Sequence, residues 1–363
     1  MRKLRKALLI LLLVVLLVAV GGVGYLSLTE YRPADVETLE TTVGPRHQAA
    51  TLGKKLTLVS MNTGYAGLGR DADFFADGGK GVRAESEAVV RENMAGILSA
   101  LAQQDADLYF LQEVDRGSTR SCGTDQLDYY AHGLSMGTAF ACNYKCDWVP
   151  FPWPMLGRVE SGLMTLSDLQ VTQATRVSLP VPFQWPVSVA NLKRCLLVER
   201  VPIEGSEREL VLINLHLEAY DDGTGKAEQT AQLVKLMREE YAKGNYVVAG
   251  GDFNQCLPGS ERYPIRYPER WQPSALVDED LPDGFAFVCD ARTPTCRLLN
   301  QPYTGDRSTT GLFVIDGFIV SANVKVNLVE TIDLNFANSD HHPVRLEFTL
   351  APKVDGGANR GEA

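Results

Sequence analysis

The sequence predicts a layered α/β sandwich with mixed sheets, set behind one apolar helix. Three observations carry that expectation. Short apolar runs with strand character recur between residues 55 and 350. Two longer stretches with helical spacing separate them. Ahead of them lies an uncharged run from Ala7 to Leu28, long enough to cross a bilayer, which takes about 20 apolar residues.

Arg2, Lys3, Arg5 and Lys6 precede that run and Glu30 follows it, a charge order that favours a cytoplasmic N-terminus and an external body. A cleaved signal peptide shares the charged start, and Ala19-Val20-Gly21 offers a small-residue cleavage site. The apolar run outlasts a signal core of about 7–15 residues, which favours an uncleaved anchor. Residues 29–54 read as a polar stalk, 55–350 as one catalytic domain and 351–363 as a disordered tail. No internal repeat or Pro/Gly/Ser linker divides the body. The expected location is the cell membrane, single-pass, with the catalytic domain extracellular.

Of the 35 basic residues four lie before residue 29, where none of the 45 acidic ones lies. The remainder holds 31 basic against 45 acidic residues, a net charge of −14. Such a surface repels polyanions in general and argues against broad non-specific nucleic-acid binding. Among the seven cysteines, Cys142 with Cys146 and Cys289 with Cys296 are close enough in sequence to be candidate disulfides in an oxidising exterior. No Cys-x-x-Cys pair occurs, which argues against a structural zinc site.

Lys55 to Met61 alternates like a strand and ends at Asn62. A Gly- and Asp-rich loop follows, and its Asp71-Ala72-Asp73 spacing resembles a calcium loop only by chance, since Phe75 stands at the fifth position. Val89, Val90, Met94, Ile97, Leu98 and Leu101 place a helix between Arg83 and Gln104. Asp107 to Glu113 is nearly all apolar and reads as a strand buried on both faces. Further strands are expected at 136–143, 160–167, 169–176, 192–201 and 209–216, with a helix over 224–242. Tyr246 to Gly250 is another buried strand, running into Gly251-Asp252-Phe253-Asn254. Leu312–Ser321 and Pro343–Leu350 are strand-like too.

Polar residues sit where these apolar strands stop: Asn62, Glu113, His216, Asp252 with Asn254, Asp316, and Asp340-His341. Strand ends converge on one rim of a sheet, where ligand sites form. Taken singly, an Asp or Asn at a strand end is usually a turn former, and a lone histidine is more often a bonded core residue. Glu113 is less bland, because a carboxylate ending an apolar strand costs desolvation unless it meets a partner or metal. Together the endings gather several carboxylates, two imidazoles and two amides. Like charges so crowded call for a hard cation such as Mg²⁺ or Mn²⁺.

Ser60-Met61-Asn62, Leu111-Gln112-Glu113-Val114, Asn214-Leu215-His216-Leu217, Gly251-Asp252-Phe253-Asn254, Ile315-Asp316-Gly317-Phe318 and Ser339-Asp340-His341-His342-Pro343-Val344 together resemble the endonuclease/exonuclease/phosphatase superfamily, also called the DNase I-like fold. The resemblance runs over about residues 55–350. It implies a four-layered sandwich of two mixed β-sheets flanked by helices, and metal-dependent hydrolysis of phosphate esters. It further implies Glu113 as principal metal ligand with Asn62 beside it and Asp340 in or near the metal shell. His341 is the implied general base, oriented by Asp316, while Asp252 and Asn254 position nucleophile and phosphate and His216 donates to the phosphoryl oxygens. His342 points away from the site on its strand and has no expected role. Gln255-Cys256 stands where inositol polyphosphate phosphatases carry Tyr-Arg, and Phe313-Val314-Ile315-Asp316-Gly317 replaces the Trp-Arg-x-Asp-Tyr segment of abasic-site endonucleases. Neither specific activity is supported.

Two segments, Trp148–Met155 and Leu179–Pro186, alternate aromatics with prolines, so neither can be a regular helix or central strand. They read as rigid cover over the sandwich, or as an aromatic wall of the cleft or a membrane-facing loop. The acidic body tilts the substrate expectation towards a phospholipid over a nucleic acid, with an extracellular nuclease as the alternative. A non-enzymatic surface-interaction protein is the reading from another class, and burying these carboxylates together argues against it. No obligate protein partner is evident.

Overall fold

A computed structural model describes residues 2–221, 223–260 and 263–352. The tail expected over 351–363 therefore lies, from residue 353 on, outside the described residues.

Two sheets stack face to face. One holds six strands in the order Val324–Thr331, Val344–Leu350, Lys55–Asn62, Leu108–Asp115, Gly157–Ser167, Gly137–Val149. The other holds seven, in the order Val36–Leu39, Gln173–Ser178, Cys195–Pro202, Glu209–His216, Tyr246–Asp252, Asp316–Ser321, Phe285–Val288. Each sheet contains one parallel pair, Lys55–Asn62 with Leu108–Asp115 and Glu209–His216 with Tyr246–Asp252; the other pairings are antiparallel. A parallel pair needs a crossover, and the helices Glu87–Ala102 and Thr224–Ala242 supply the two.

Period-2 alternation sorts each strand between two cores. Leu56, Leu58, Leu108, Phe110, Leu210, Leu212, Tyr246 and Val248 meet between the sheets. Their odd-numbered neighbours pack outward. Val59, Met61, Tyr109 and Leu111 lie under Val90, Met94 and Ile97 of the first crossover helix, and Val211, Ile213 and Val247 lie under Leu233 and Met237 of the second. The result is the expected four layers, helix, sheet, sheet, helix. Ser86 caps the first crossover helix by accepting from Val89 N at 3.3 Å, so it begins later than Arg83.

The segment 29–54 is not a free stalk. Val36–Leu39 adds an antiparallel edge strand to the larger sheet, and Ala50 is buried in the inter-sheet core while bridging Ile203. Its short alternation pairs with an otherwise open edge, a tertiary effect that polar composition conceals. Nor do the candidate disulfides form: Cys142, Cys146 and Cys296 are free thiols. Asp73 and Asp77 of the Asp-rich loop accept backbone bonds from Gly81 and Leu299. The helix Arg2–Leu28 is exposed from Arg2 to Gly21, packs on the body only in its last two turns, and is long and apolar enough to cross a membrane.

Candidate active site

The inward, even-numbered positions that build the inter-sheet core turn polar at one end of the sandwich. Leu56-x-Leu58 continues to Ser60 and Asn62, Leu108-x-Phe110 to Gln112, Leu210-x-Leu212 to Asn214 and His216, and Tyr246-x-Val248 to Gly250 and Asp252. Asp316 begins the antiparallel neighbour of Tyr246–Asp252, directly opposite Asp252. Gln112 Nε2 donates to Asn214 Oδ1 at 2.8 Å and ties the two sheets just beneath the rim. The parallel pair Glu209–His216 and Tyr246–Asp252 sets His216 beside Asp252, with Nε2 of the first 3.5 Å from Oδ2 of the second.

Glu113 breaks the alternation. As an odd-numbered residue it should face the helix layer, but a bulge between Leu111 and Val114 shifts the register. The backbone at Glu113 takes a left-handed conformation, φ 55°, and its side chain turns to the rim. There Asn62 Nδ2 donates to Glu113 Oε1 at 3.2 Å and to Asp252 Oδ2 at 3.0 Å. The oxygen of Asn62 accepts from Gly64 N at 3.0 Å, leaving one lone pair. Gly251, at φ 145°, has no alternative: a β-carbon there would run into the Leu215 carbonyl.

The loop before Val344–Leu350 brings the last two groups. Ser339 Oγ donates to Asn62 O at 3.0 Å and stitches this loop to the first strand. His341 Nδ1 meets Asp316 Oδ2 at 2.8 Å. Its Nε2 faces the cleft, 3.7 Å from Asp252 and 3.9 Å from Asp340. Asn254 N donates to Asp252 Oδ1, and Asn254 Nδ2 to Leu217 O, both at 2.8 Å. All eight expected site residues thus meet, seven of them lining one cleft of about 360 Å³ and the eighth, Asp316, directly behind His341. His342 points elsewhere, stacked on Phe336 at 3.9 Å and bonded to Pro294 O.

Such an array has a name once the whole chain is compared. Residues 90–341 match the family model described as the Endonuclease/Exonuclease/phosphatase family. The chain belongs to that family. It is accordingly a phosphoester hydrolase, and the family works with a divalent metal. Among solved structures, it is similar to an endonuclease/exonuclease/phosphatase from Beutenbergia cavernae, with TM-score 0.56 and 18% identity over 82% of this chain and 72% of that one. A family protein from Leptotrichia buccalis gives TM-score 0.52 and 12% identity over 81% of this chain and 99% of that one. D. rerio TDP2 in complex with a single-strand DNA product gives TM-score 0.50 and 17% identity over 82% and 99%. These likenesses show the fold. No curated protein matches the sequence.

The electrostatics of this family site are those of a cation holder. Burial, then the charge of Asp316, raises Asp252 to about 7. Burial raises Asp340 to about 6, with Glu113 adding to it. Burial alone would make the His341 imidazolium costly, yet Asp316, Asp340 and Asp252 outweigh it and hold the ring's pKa well above the ordinary histidine value. His216 goes the other way: burial and the nearby Arg194 depress it, so it stays neutral. The hard oxygens of Glu113 and Asp340, with the spare lone pair of Asn62, fit a divalent ion of the Mg²⁺ type. Two other groupings are geometrically close, Cys296-Asp340-His341 and Asp252-Asp316-His341. The first carries a thiol that burial pushes up to about 12, a poor partner for a hard ion. In the second, Asp316 is already spent on the imidazole.

Three buried cations of the cleft were not anticipated, Arg120, Arg194 and Arg297. Arg120 binds Asp115 through two nitrogens at 2.9 and 3.1 Å, stacks over Tyr65 and reaches within 3.8 Å of Glu113. Arg194 pairs with Glu218 at 3.1 Å and donates to His216 O. Arg194 abuts the apolar run Cys195-Leu196-Leu197-Val198, the same signal that marked Glu113. Nothing in the local sequence marks Arg120.

Proposed function

We propose that this chain is an exported, membrane-anchored phosphoesterase, dependent on Mg²⁺ or Mn²⁺, that acts on lipid phosphodiesters. The observation that carries the catalytic part is the Asp316–His341 pair at 2.8 Å, with His341 Nε2 aimed into a cleft of carboxylates. Asp316 holds one tautomer of the ring and favours its protonated form. His341 Nε2 then takes the proton of a water whose oxygen bonds phosphorus as the leaving group's P–O bond breaks. Asp252, held by Asn62 and Asn254, orients that water. Neutral His216 donates to a phosphoryl oxygen, a bond that strengthens as charge develops. A divalent ion held by Glu113, Asp340 and Asn62 would polarise a non-bridging oxygen. The helix Arg2–Leu28, basic in its first turns and followed by Glu30, supports the anchor and an external catalytic domain.

The full chain should hydrolyse bis-p-nitrophenyl phosphate with Mg²⁺ or Mn²⁺; EDTA should abolish the reaction and His341→Ala should slow it by about 10²–10⁴-fold. Full activity in His341→Ala would remove His341 as the base. A nuclease is the second reading, favoured by the single-strand DNA product in the structurally similar D. rerio TDP2. Parallel assays on sphingomyelin, phosphatidylinositol and plasmid DNA decide between the two. Steep inhibition by salt would speak for nucleic acid, because phosphate contacts release counterions.

A further inference from the structure

The two aromatic–proline segments and the end of the N-terminal helix come together in space. Trp185 Nε1 donates to Ser27 Oγ at 2.9 Å, and Tyr25 Oη donates to Asp147 Oδ2 at 3.1 Å. A β-carbon on Gly22 would sit 3.7 Å from the Trp148 ring. Just past the helix, Lys193 Nζ binds Glu30 at 2.7 Å. The helix therefore leaves the body in one fixed direction.

Height along the helix decides what these loops face. At about 1.5 Å per residue, the uncharged run Ala7–Leu28 spans about 32 Å, close to the roughly 30 Å hydrocarbon core of a bilayer. Trp148 packs at Gly22 and Trp185 bonds Ser27, both within the last two turns of that run, towards the depth where tryptophan rings partition between acyl chains and headgroups. Phe151, Trp153 and Trp185 are 72%, 82% and 65% exposed. Among the described residues, these three and Trp148 are the only exposed Trp or Phe side chains. Trp148 and Trp185 beside a membrane-length helix, with Phe151 and Trp153 exposed in the loop that follows Trp148, present apolar surface that water does not favour and a bilayer does.

The same patch edges the catalytic cleft. The Phe75 ring, which lines the cleft, meets Phe151 edge-on at 6.1 Å. Leu26 of the helix is buried in one apolar cluster with Tyr144 and Leu156, both of which line the cleft.

We infer that Trp148, Phe151, Trp153 and Trp185 form a collar that sits in the leaflet around the helix and holds the cleft mouth against it. The substrate is then a phosphoester presented at headgroup height, taken from the plane of the membrane. The inference rests on the anchored-hydrolase reading and adds to it the surface that selects lipid over soluble esters.

The test uses the full chain in phosphatidylcholine nanodiscs that contain sphingomyelin or phosphatidylinositol. Three of the chain's four tryptophans belong to the collar. Lipids brominated in the upper acyl chain should therefore quench most of the tryptophan emission. The triple variant Phe151→Ser, Trp153→Ser, Trp185→Ser should cleave soluble bis-p-nitrophenyl phosphate within twofold of wild type. On lipid in the same disc it should be at least tenfold slower. Unquenched emission from a disc-embedded, active chain overturns the collar, as does an equal loss on both substrates. Wild type that cleaves DNA and soluble esters but no lipid overturns the substrate class. Two outcomes strike the underlying reading: a chain that does not co-purify with the disc is not anchored, and one inactive on every ester with metal present lacks the proposed chemistry.

Discussion

The floor of the cleft and its rim bury opposite kinds of surface. On the floor, Asn62, Asp252, Asp316, Asp340 and His341 are each less than a tenth exposed, and nearly every one is bonded to another. On the rim, Phe151, Trp153 and Trp185 are mostly exposed, and within the chain they meet little beyond one another's neighbours and the helix end. Buried polar groups are satisfied inside the protein by hydrogen bonds, whereas apolar rings outside it need a partner the chain does not contain. On the proposed reading the floor carries the chemistry and the rim the meeting with substrate, so substitutions in each region should fail in different assays.

The largest effect is expected on the floor. His341→Ala or Asp252→Ala should lower kcat/KM on soluble and lipid substrates alike, by about 10²–10⁴-fold for loss of general-base catalysis. The rim variant, by contrast, spares the soluble substrate. Floor substitutions that harm only the lipid reaction would collapse the distinction between the regions.

Arg120→Ala tests whether the floor is a structural unit as well as a catalytic one. It leaves the fully buried Asp115 without its two-nitrogen partner, and breaking a buried pair costs about 3–5 kcal/mol. Thermal unfolding of the chain in nanodiscs should show a drop of that order. An unchanged Tm would mean that water reaches Asp115.

Asp316→Asn sharpens the comparison through pH. A base must be neutral to act, and the carboxylates around His341 raise its pKa. Activity should therefore climb as pH rises through that raised value. Removing the Asp316 charge lowers the pKa, so the limb should move to lower pH while the plateau falls with the lost orientation. A limb that stays in place would assign it to another group, Asp252 first among them.

How much of this could be read from the chain follows from the same alternation. The inward even-numbered positions made Asn62, His216, Asp252 and Asp316 legible, because each continues an apolar series that a strand must bury. Their meeting followed from two parallel pairs ending at one rim. Glu113 was legible as a carboxylate ending an apolar run, but the bulge that aims it was not, since one extra residue in a ladder leaves no trace in periodicity. Arg120 was invisible because its partner, Asp115, sits across a turn whose geometry only the fold defines. The 29–54 segment misled for a related reason: an edge strand's stability lies in the neighbour it pairs with. The aromatic–proline loops were visible as composition, and their position beside the helix was not.

Glu199 provides the smallest effect and the cleanest control on what burial alone does to a carboxyl. It stands on Cys195–Pro202, lines a small cavity with Thr41, His47 and Gly137 that shares no lining residue with the cleft, and leaves Oε2 without a bond. Burial by itself raises it to about 8 from an ordinary 4.5, whereas Asp252 reaches a similar value with a neighbouring carboxylate contributing. Between pH 4.5 and 8 the folded chain keeps a proton on Glu199 that the unfolded chain releases. Folding then binds protons, so this group's contribution is fully present below the lower value and is lost as pH rises through the upper one. Glu199→Gln keeps the neutral shape and removes the linkage. Relative to wild type it should stabilise the chain by on the order of 1–3 kcal/mol at pH 8 and by almost nothing at pH 5. Thermal unfolding in nanodiscs at the two pH values measures the difference. An equal effect at both would mean that Glu199 is ionised in the folded state, its charge offset by a cation or water in its cavity.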